Sequence, residues 1–449
     1  MNNSVKKMAR SFIAVPLLVS VAACSWFEGS SKPKSSYDDE GKDRLSILSS
    51  TRIIEADPAL AAQPVILPRP YTNLSWAQAG GNATHAIYHL TVGDTLSKAW
   101  STNIGRGNDT YHRLVAGPVS ANGVVYAMDV RASVSAVDLA SGRKRWSVTL
   151  KDSTEKSNVG YGGGVAYSDG ILFATTGYGF TVALDAGTGA EIWRHEGKIP
   201  MRGAPTVAGN RVFTITHDNQ IKVLNAATGI ELWDQVGISE TASMLGAASP
   251  AVDEGVTVIA LSSGELMAMQ VSNGRVLWQD SLTSSKRLTP LASLADVDGH
   301  PVIDRGRAYA VSHAGRMVAI DMRTGERSWE SDVASVNTPL VAGNYAFVST
   351  IEGEIASIQL SDGRVRWVTQ VQRFDDQEKR RGLIKWNGPI LAGDRLLMTS
   401  SHGYLVSVSP YSGAVLSAEK LEAGTSTPPI VVDNTLVYLD DSGNLVAYR

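Results

Sequence analysis

The stretch AVDLASGRKRW at residues 136–146 decides the fold, because copies of it recur along the chain. ALDAGTGAEIW (183–193) and AIDMRTGERSW (319–329) keep its Asp, its Gly and its closing Trp. VLNAATGIELW (223–233), AMQVSNGRVLW (268–278) and SIQLSDGRVRW (357–367) are looser copies, and SVSPYSGAVLS (407–417) places Ser417 where the Trp belongs. From Trp100 through Trp146, Trp193, Trp233, Trp278 and Trp329 to Trp367, successive tryptophans lie 38 to 51 residues apart. That period is the one of propellers with four strands per blade. Each residue type has a physical reason. The alternating residues before the Asp read as a half-buried strand. Asp or Asn bonds the following backbone and Gly takes positive φ, so the middle of the motif is a tight hairpin turn. The Trp then falls on the outer strand, where its ring wedges between neighbouring blades.

The other half of each unit is equally regular. GPVSANGVVY from Gly117, GAPTVAGNRVF from Gly203, TPLVAGNYAFV from Thr338 and GPILAGDRLLM from Gly388 each read as strand, Gly turn, strand. The final unit stops at Arg449 where its last strand should begin, and Leu96 to Trp100 is a Trp strand with no unit before it. Joining the two gives an eighth blade and leaves no free sheet edge. The expected fold is therefore all-β: an eight-bladed propeller of four-stranded antiparallel blades, spanning residues 76–449 and closed by an N-terminal strand.

Ahead of the propeller, Lys6, Lys7 and Arg10 precede an apolar run from Ser11 to Ala23 that is too short to span a bilayer. The run ends Val21-Ala22-Ala23-Cys24, and Cys24 is the chain's only cysteine. This resembles the lipobox of bacterial lipoproteins. The resemblance implies a signal peptide over residues 1–23, acylation of Cys24 and, with Ser25 next, an outer-membrane address facing the periplasm. Residues 24–75 then read as a lipidated tether, polar from Glu28 to Arg44, followed by an extended Pro-rich segment lying along the body. The formal net charge is −3, and removing residues 1–23 makes it −6 by taking away three cations, which disfavours nucleic acid as a partner.

No constellation for catalysis or metal binding emerges. His85 and His89 lack the glutamate of an HExxH site and read as preceding the propeller. Asp296-Val297-Asp298-Gly299 begins like a calcium loop but has no closing Glu. The Trp repeat resembles the quinoprotein alcohol dehydrogenases, whose propellers hold pyrroloquinoline quinone and calcium in the central channel. That resemblance sets up the alternative, a quinone-dependent dehydrogenase or sensor. The chain has neither the adjacent cysteine pair many of those enzymes use nor a recognisable calcium set, so the reading is no enzyme, no cofactor and no small-molecule substrate.

Loop length points to a working face. Residues 151–162, 235–248, 280–299 and 369–387 are the long connections, and each leads from a Trp strand into the next blade, so all four gather on one face. Within 373–385, RFDDQEKRRGLIK reads as a solvated loop, with a short helix as the alternative. The segment Leu291 to Asp298 carries L-x-D-V-D. Together with the lipobox, the tether and a ring without cofactor ligands, it resembles the BamB family, lipoproteins of the outer-membrane β-barrel assembly (BAM) machine. The resemblance implies docking on the periplasmic POTRA domains of BamA, alongside other members of that machine, through Asp296 and Asp298 with Leu294 beside them. It also implies a Leu-x-Leu-Arg-Gly element in the preceding connection. There the chain has Met244 and Leu245 before Gly246, with Leu245 in place of the Arg. The two aspartates are expected at a loop tip, where substitution changes stability little.

Overall fold

The computed structural model describes residues 54–150, 162–239, 246, 248–283 and 296–449. Cys24, Met244, Leu245 and Leu294 lie outside the described residues. Among those residues the chain forms eight four-stranded antiparallel sheets. In chain order blades 1 to 7 occupy residues 119–149, 163–196, 206–236, 251–281, 302–331, 340–370 and 386–420. Blade 8 takes three strands from residues 430–448 and its fourth from Lys98–Asn103. That strand runs antiparallel to Asn444–Tyr448, with Trp100 opposite Ala447, so both ends of the propeller sequence close the ring as the repeat required.

Within a blade the first strand is fully buried and the fourth alternates, as in Val119–Ala121 against Lys144–Thr149. First strands of neighbouring blades lie against one another around the axis, and fourth strands form the rim. The repeat turn behaves as its residues dictate. Asp138 Oδ1 accepts from the Ser141 amide, Asn225 Oδ1 from Ala227 and Thr228, and Asp321 Oδ1 from Arg323 and Thr324. A β-bulge follows each turn on the outer strand, for example at Arg145, which lies unpaired in the ladder between Lys144 opposite Val137 and Trp146 opposite Ala136, and sharpens the local twist.

The tryptophans lock one blade to the next. Each indole N–H donates to the backbone carbonyl just after the turn aspartate, or its equivalent, of the following blade: Trp100 to Leu139 at 2.9 Å, Trp193 to Ala226 at 2.9 Å, Trp329 to Leu360 at 2.8 Å. Trp146, Trp233, Trp278 and Trp367 do the same. The turn glycine lies flat on that ring. Gly229 has φ +71, and a Cβ there would sit 2.5 Å from the Trp193 ring, so any other residue is both strained and in collision. Trp329 is only 7% exposed. Trp329→Ala is expected to lower unfolding free energy by about 3–5 kcal/mol. Equilibrium unfolding in guanidinium checks this, and a loss under about 1 kcal/mol would mean that the ring is not a lock between blades.

One end of the central channel is closed by residues 73–91, ahead of the closing strand. This segment passes from blade to blade, meeting the inner strands where they enter their first hairpins. Asn73 O accepts from Asp433 N at 2.7 Å in blade 8, Trp76 pairs with Ser120 in blade 1, and Ala77 O accepts from Tyr167 N in blade 2. The Gln78 side chain pairs with the Val207 backbone in blade 3. Ala83 and Thr84 accept from Val252 and Ile303 in blades 4 and 5, and Leu90 pairs with the backbone of blade 7 through Leu391 and Gly393. Ala86 packs on Val341 of blade 6. Inner-strand edges that would otherwise face the channel are satisfied by this segment. Residues 57–63 lie along the outer strand of blade 6, with Asp57 N donating to Val365 O and Arg366 to Gln63 O. His85 and His89, expected ahead of the propeller, are therefore part of the packed body, 3% and 1% exposed.

Candidate functional site

The described ends of the long connections, where the fourth strands finish at Thr149, Val236, Ser281 and Gln370, share one face, opposite the repeat turns and the channel-closing segment. There the chain approaching blade 5 is extended through Asp296-Val297-Asp298. Alternation sends Val297 one way, into the core with Ala248 and Leu282, and both aspartates the other. What they meet is Arg202, from the connection before blade 3. Arg202 Nη2 lies 2.5 Å from Asp296 Oδ1 and 3.7 Å from Asp298 Oδ1, and its Nε donates to Gly246 O at 2.9 Å. One guanidinium thus joins three successive connections.

This corrects the loop-tip expectation. Asp296 is 1% exposed and Arg202 3% exposed, so the pair is interior and its loss is a folding matter. Asp298 is nearly as enclosed, and its Oδ1 has no hydrogen-bond donor among the described residues. Burial, then the Asp296 charge, push its carboxyl up to about 7, against the pull of Arg202 and Lys385. Gly246 has φ +145, and a Cβ on it would stand 3.1 Å from Asp298 Oδ1. Only glycine fits there without displacing the carboxylate.

An acid held above its usual range binds its proton more tightly in the folded state. Stability therefore falls as pH rises from about 4 toward 7, the window between the unfolded and folded values. Asp298→Asn is expected to remove that slope. Comparing unfolding midpoints of both proteins at pH 4.5 and 7.5 tests it; parallel changes would show that Asp298 does not carry the linkage.

Asp298 stands at the wide mouth of the channel, a cavity of about 470 Å³ whose wall also includes Arg113, His300, Lys385, Trp386 and Asp441. Lys385 and Trp386 arrive from the connection after blade 6. Within that connection, residues 373–385 are neither a helix nor an irregular loop. Phe374–Asp376 pairs with Arg381–Leu383 as a small hairpin, and the Trp386 indole donates to Gln372 O beneath it. Leu383 at its end is 48% exposed.

Sequence reasoning placed Asp296 and Asp298 together on the connection face but missed Arg202. A signal existed: Met201-Arg202-Gly203 carries an Arg-Gly pair one connection before Met244 and Leu245.

The inner end of the channel does not suit a quinone cofactor. Residues 73–91 fill one end, and the cavity left behind them is about 110 Å³, well below the roughly 300 Å³ at which cofactor pockets begin. No carboxylate lines it, and no cluster of metal-ligating side chains occurs among the described residues.

A family model described as "Outer membrane protein assembly factor BamB" matches residues 130–369. The protein of that name from Yersinia pestis is 24% identical over 357 residues, covering 78% of this chain and 88% of its own length. Its Escherichia coli K12 counterpart is 25% identical over 355 residues, with the same coverage. The crystal structure of BamB from Moraxella catarrhalis superposes with a TM-score of 0.63 at 20% identity, covering 79% of this chain and 98% of that one. A quinohemoprotein alcohol dehydrogenase from Comamonas testosteroni also reaches 0.63, at 12% identity, covering 83% of this chain and 80% of its own. The two superpositions share the ring and do not by themselves separate assembly factor from dehydrogenase.

Proposed function

Since the chain belongs to the family of the outer membrane protein assembly factor BamB, we propose that it is a non-enzymatic scaffold lipoprotein of the β-barrel assembly machine, docking on BamA POTRA domains through the connection face. The observation that carries this reading is the Arg202–Asp296–Asp298 cluster at the channel mouth. It is a fixed polar feature on the face enlarged by long connections. Its neighbours there include the exposed Leu383, an apolar contact of the kind that sits beside polar groups in interfaces. The filled channel base weighs against the dehydrogenase alternative, which an absorbance spectrum and a bound-quinone assay on purified protein test directly.

Asp298→Asn is the probe of docking, because it removes one charge and leaves the Arg202–Asp296 pair in place. Titration against isolated POTRA domains is expected to show at least tenfold weaker binding, a change of about 1.4 kcal/mol. Asn273→Ala with Asp362→Ala, in exposed repeat turns of the opposite face, should leave affinity unchanged. Loss of binding in the turn variant alone would assign docking to the other face. Anchoring through Cys24 belongs to the same reading: Cys24→Ala is expected in the soluble periplasmic fraction, and its retention in washed outer membranes would remove the lipid from the scheme.

A further inference from the structure

Between the channel-closing segment and the wide mouth lies the cavity of about 110 Å³, walled mostly by apolar side chains such as Trp76, Ile87, Val165, Leu340, Ile390 and Ile430. Two histidines give it polarity. His85 Nδ1 lies 2.7 Å from Pro301 O, and a carbonyl only accepts, so Nδ1 carries the proton and Nε2 is a bare acceptor. That Nε2 is buried and has no hydrogen-bond partner among the described residues. His300 Nδ1 accepts from the Ser249 amide at 2.8 Å, so its proton is on Nε2 and that nitrogen is a donor. The rings stand 5.1 Å apart, centroid to centroid. Burial above all holds both below the usual histidine range, His85 at about 4 and His300 at about 3, so both are neutral at physiological pH.

The other polar side chains in the wall, Ser249, Thr338 and Asn337, each already make a hydrogen bond within the protein. Ser249 Oγ donates to Ala204 O, Thr338 Oγ1 accepts from His300 N, and Asn337 Nδ2 donates to Ser349 Oγ and Trp386 O. Waters each need two to four polar partners, and an apolar void of about 150 Å³ takes a benzene-sized guest rather than water. A charged guest would lose its hydration to a wall with no charge. A hydroxyl group both donates and accepts, matching His85 Nε2 and His300 Nε2–H together. From this geometry we propose that the central channel is a binding site for a small neutral molecule bearing one hydroxyl on a flat apolar body, entering from the connection face.

The test is calorimetric titration of the purified full chain with phenol and, separately, benzene. Phenol is expected to bind saturably at one site and at least fivefold more tightly than benzene. Ala79→Phe, which projects a ring into the cavity from a partly open position in the channel-closing segment, should abolish both while keeping the melting temperature. His85→Phe should reduce phenol to the affinity of benzene. No saturable phenol binding, equal affinity for the two probes in the unaltered chain, or phenol binding that survives Ala79→Phe would each overturn the assignment. The two-probe comparison needs no variant, so it holds even if His85→Phe does not fold.

Discussion

A chain lacking residues 1–103 is expected to unfold at much lower guanidinium concentration than one lacking residues 1–92, and to expose blade edges that promote association. The two differ by the strand Lys98–Asn103 and the few residues before it. That strand pairs along Asn444–Tyr448 and places Trp100 over the turn of blade 1, where a Cβ at Gly142 would fall 2.7 Å from the ring. Without it, blade 8 has three strands and the lock between blades 8 and 1 is gone. The indole alone accounts for about 3–5 kcal/mol, and the lost pairing leaves the Asn444–Tyr448 strand as an unprotected edge. Removal of residues 1–92 acts differently. It keeps the ring closed but strips the inner strands of the backbone partners that Trp76, Ala83, Thr84 and Leu90 provide, and it opens the site of the buried Leu90. An intermediate loss of stability is expected, against no change for removal of residues 1–53. Denaturation midpoints of the three shortened chains order these effects. Equal midpoints for the 1–92 and 1–103 deletions would mean that the ring closes by some other contact.

What the sequence discloses and what it hides follows from the distance over which each feature is built. The Asp, Gly and Trp of the repeat act within one hairpin and upon the next blade, so their chemistry recurs at a readable period. Closure was legible because a Trp strand without a unit at Leu96–Trp100 and a unit without its last strand at Arg449 are complementary defects. Residues 73–91 have no period, since they meet all eight blades with different residues at different spacings; Asn73 reaches Val431, 358 positions away. Their polar, Gly-containing composition reads as a lead-in, and only the channel shows why it is ordered. The hairpin of residues 374–383 was hidden in the same way, because its many charged side chains read as solvated loop. The Arg202–Asp296–Asp298 cluster was half legible. L-x-D-V-D carried its resemblance locally, but burial of the aspartates depends on Arg202, 94 positions before Asp296. An exposed acidic turn and a buried ion pair share the same local sequence.

That difference changes which substitution is informative. Asp296→Ala is expected to destabilise the fold by about 3–5 kcal/mol, because it leaves the Arg202 guanidinium buried and unpaired. The remaining carboxylate, Asp298, is 3.7 Å from Nη2, too far to replace a 2.5 Å hydrogen-bonded contact, and it is itself protonated more readily than a normal aspartate. Arg202→Met should cost less at pH 5 than at pH 8. With the arginine gone, two buried carboxylates repel each other, and protonation at lower pH relieves them. The double variant Arg202→Met, Asp296→Leu replaces the pair with apolar groups of similar volume and should recover most of the stability. If it does so and POTRA binding is still lost, the cluster serves recognition through its charges. If binding returns with the fold, the charges only hold the connections of blades 3, 4 and 5 in place, and recognition belongs to the surface around them. Unfolding midpoints and POTRA titration on the same three variants separate these outcomes. An Asp296→Ala protein as stable as the parent would show that Arg202 is not buried against it in solution.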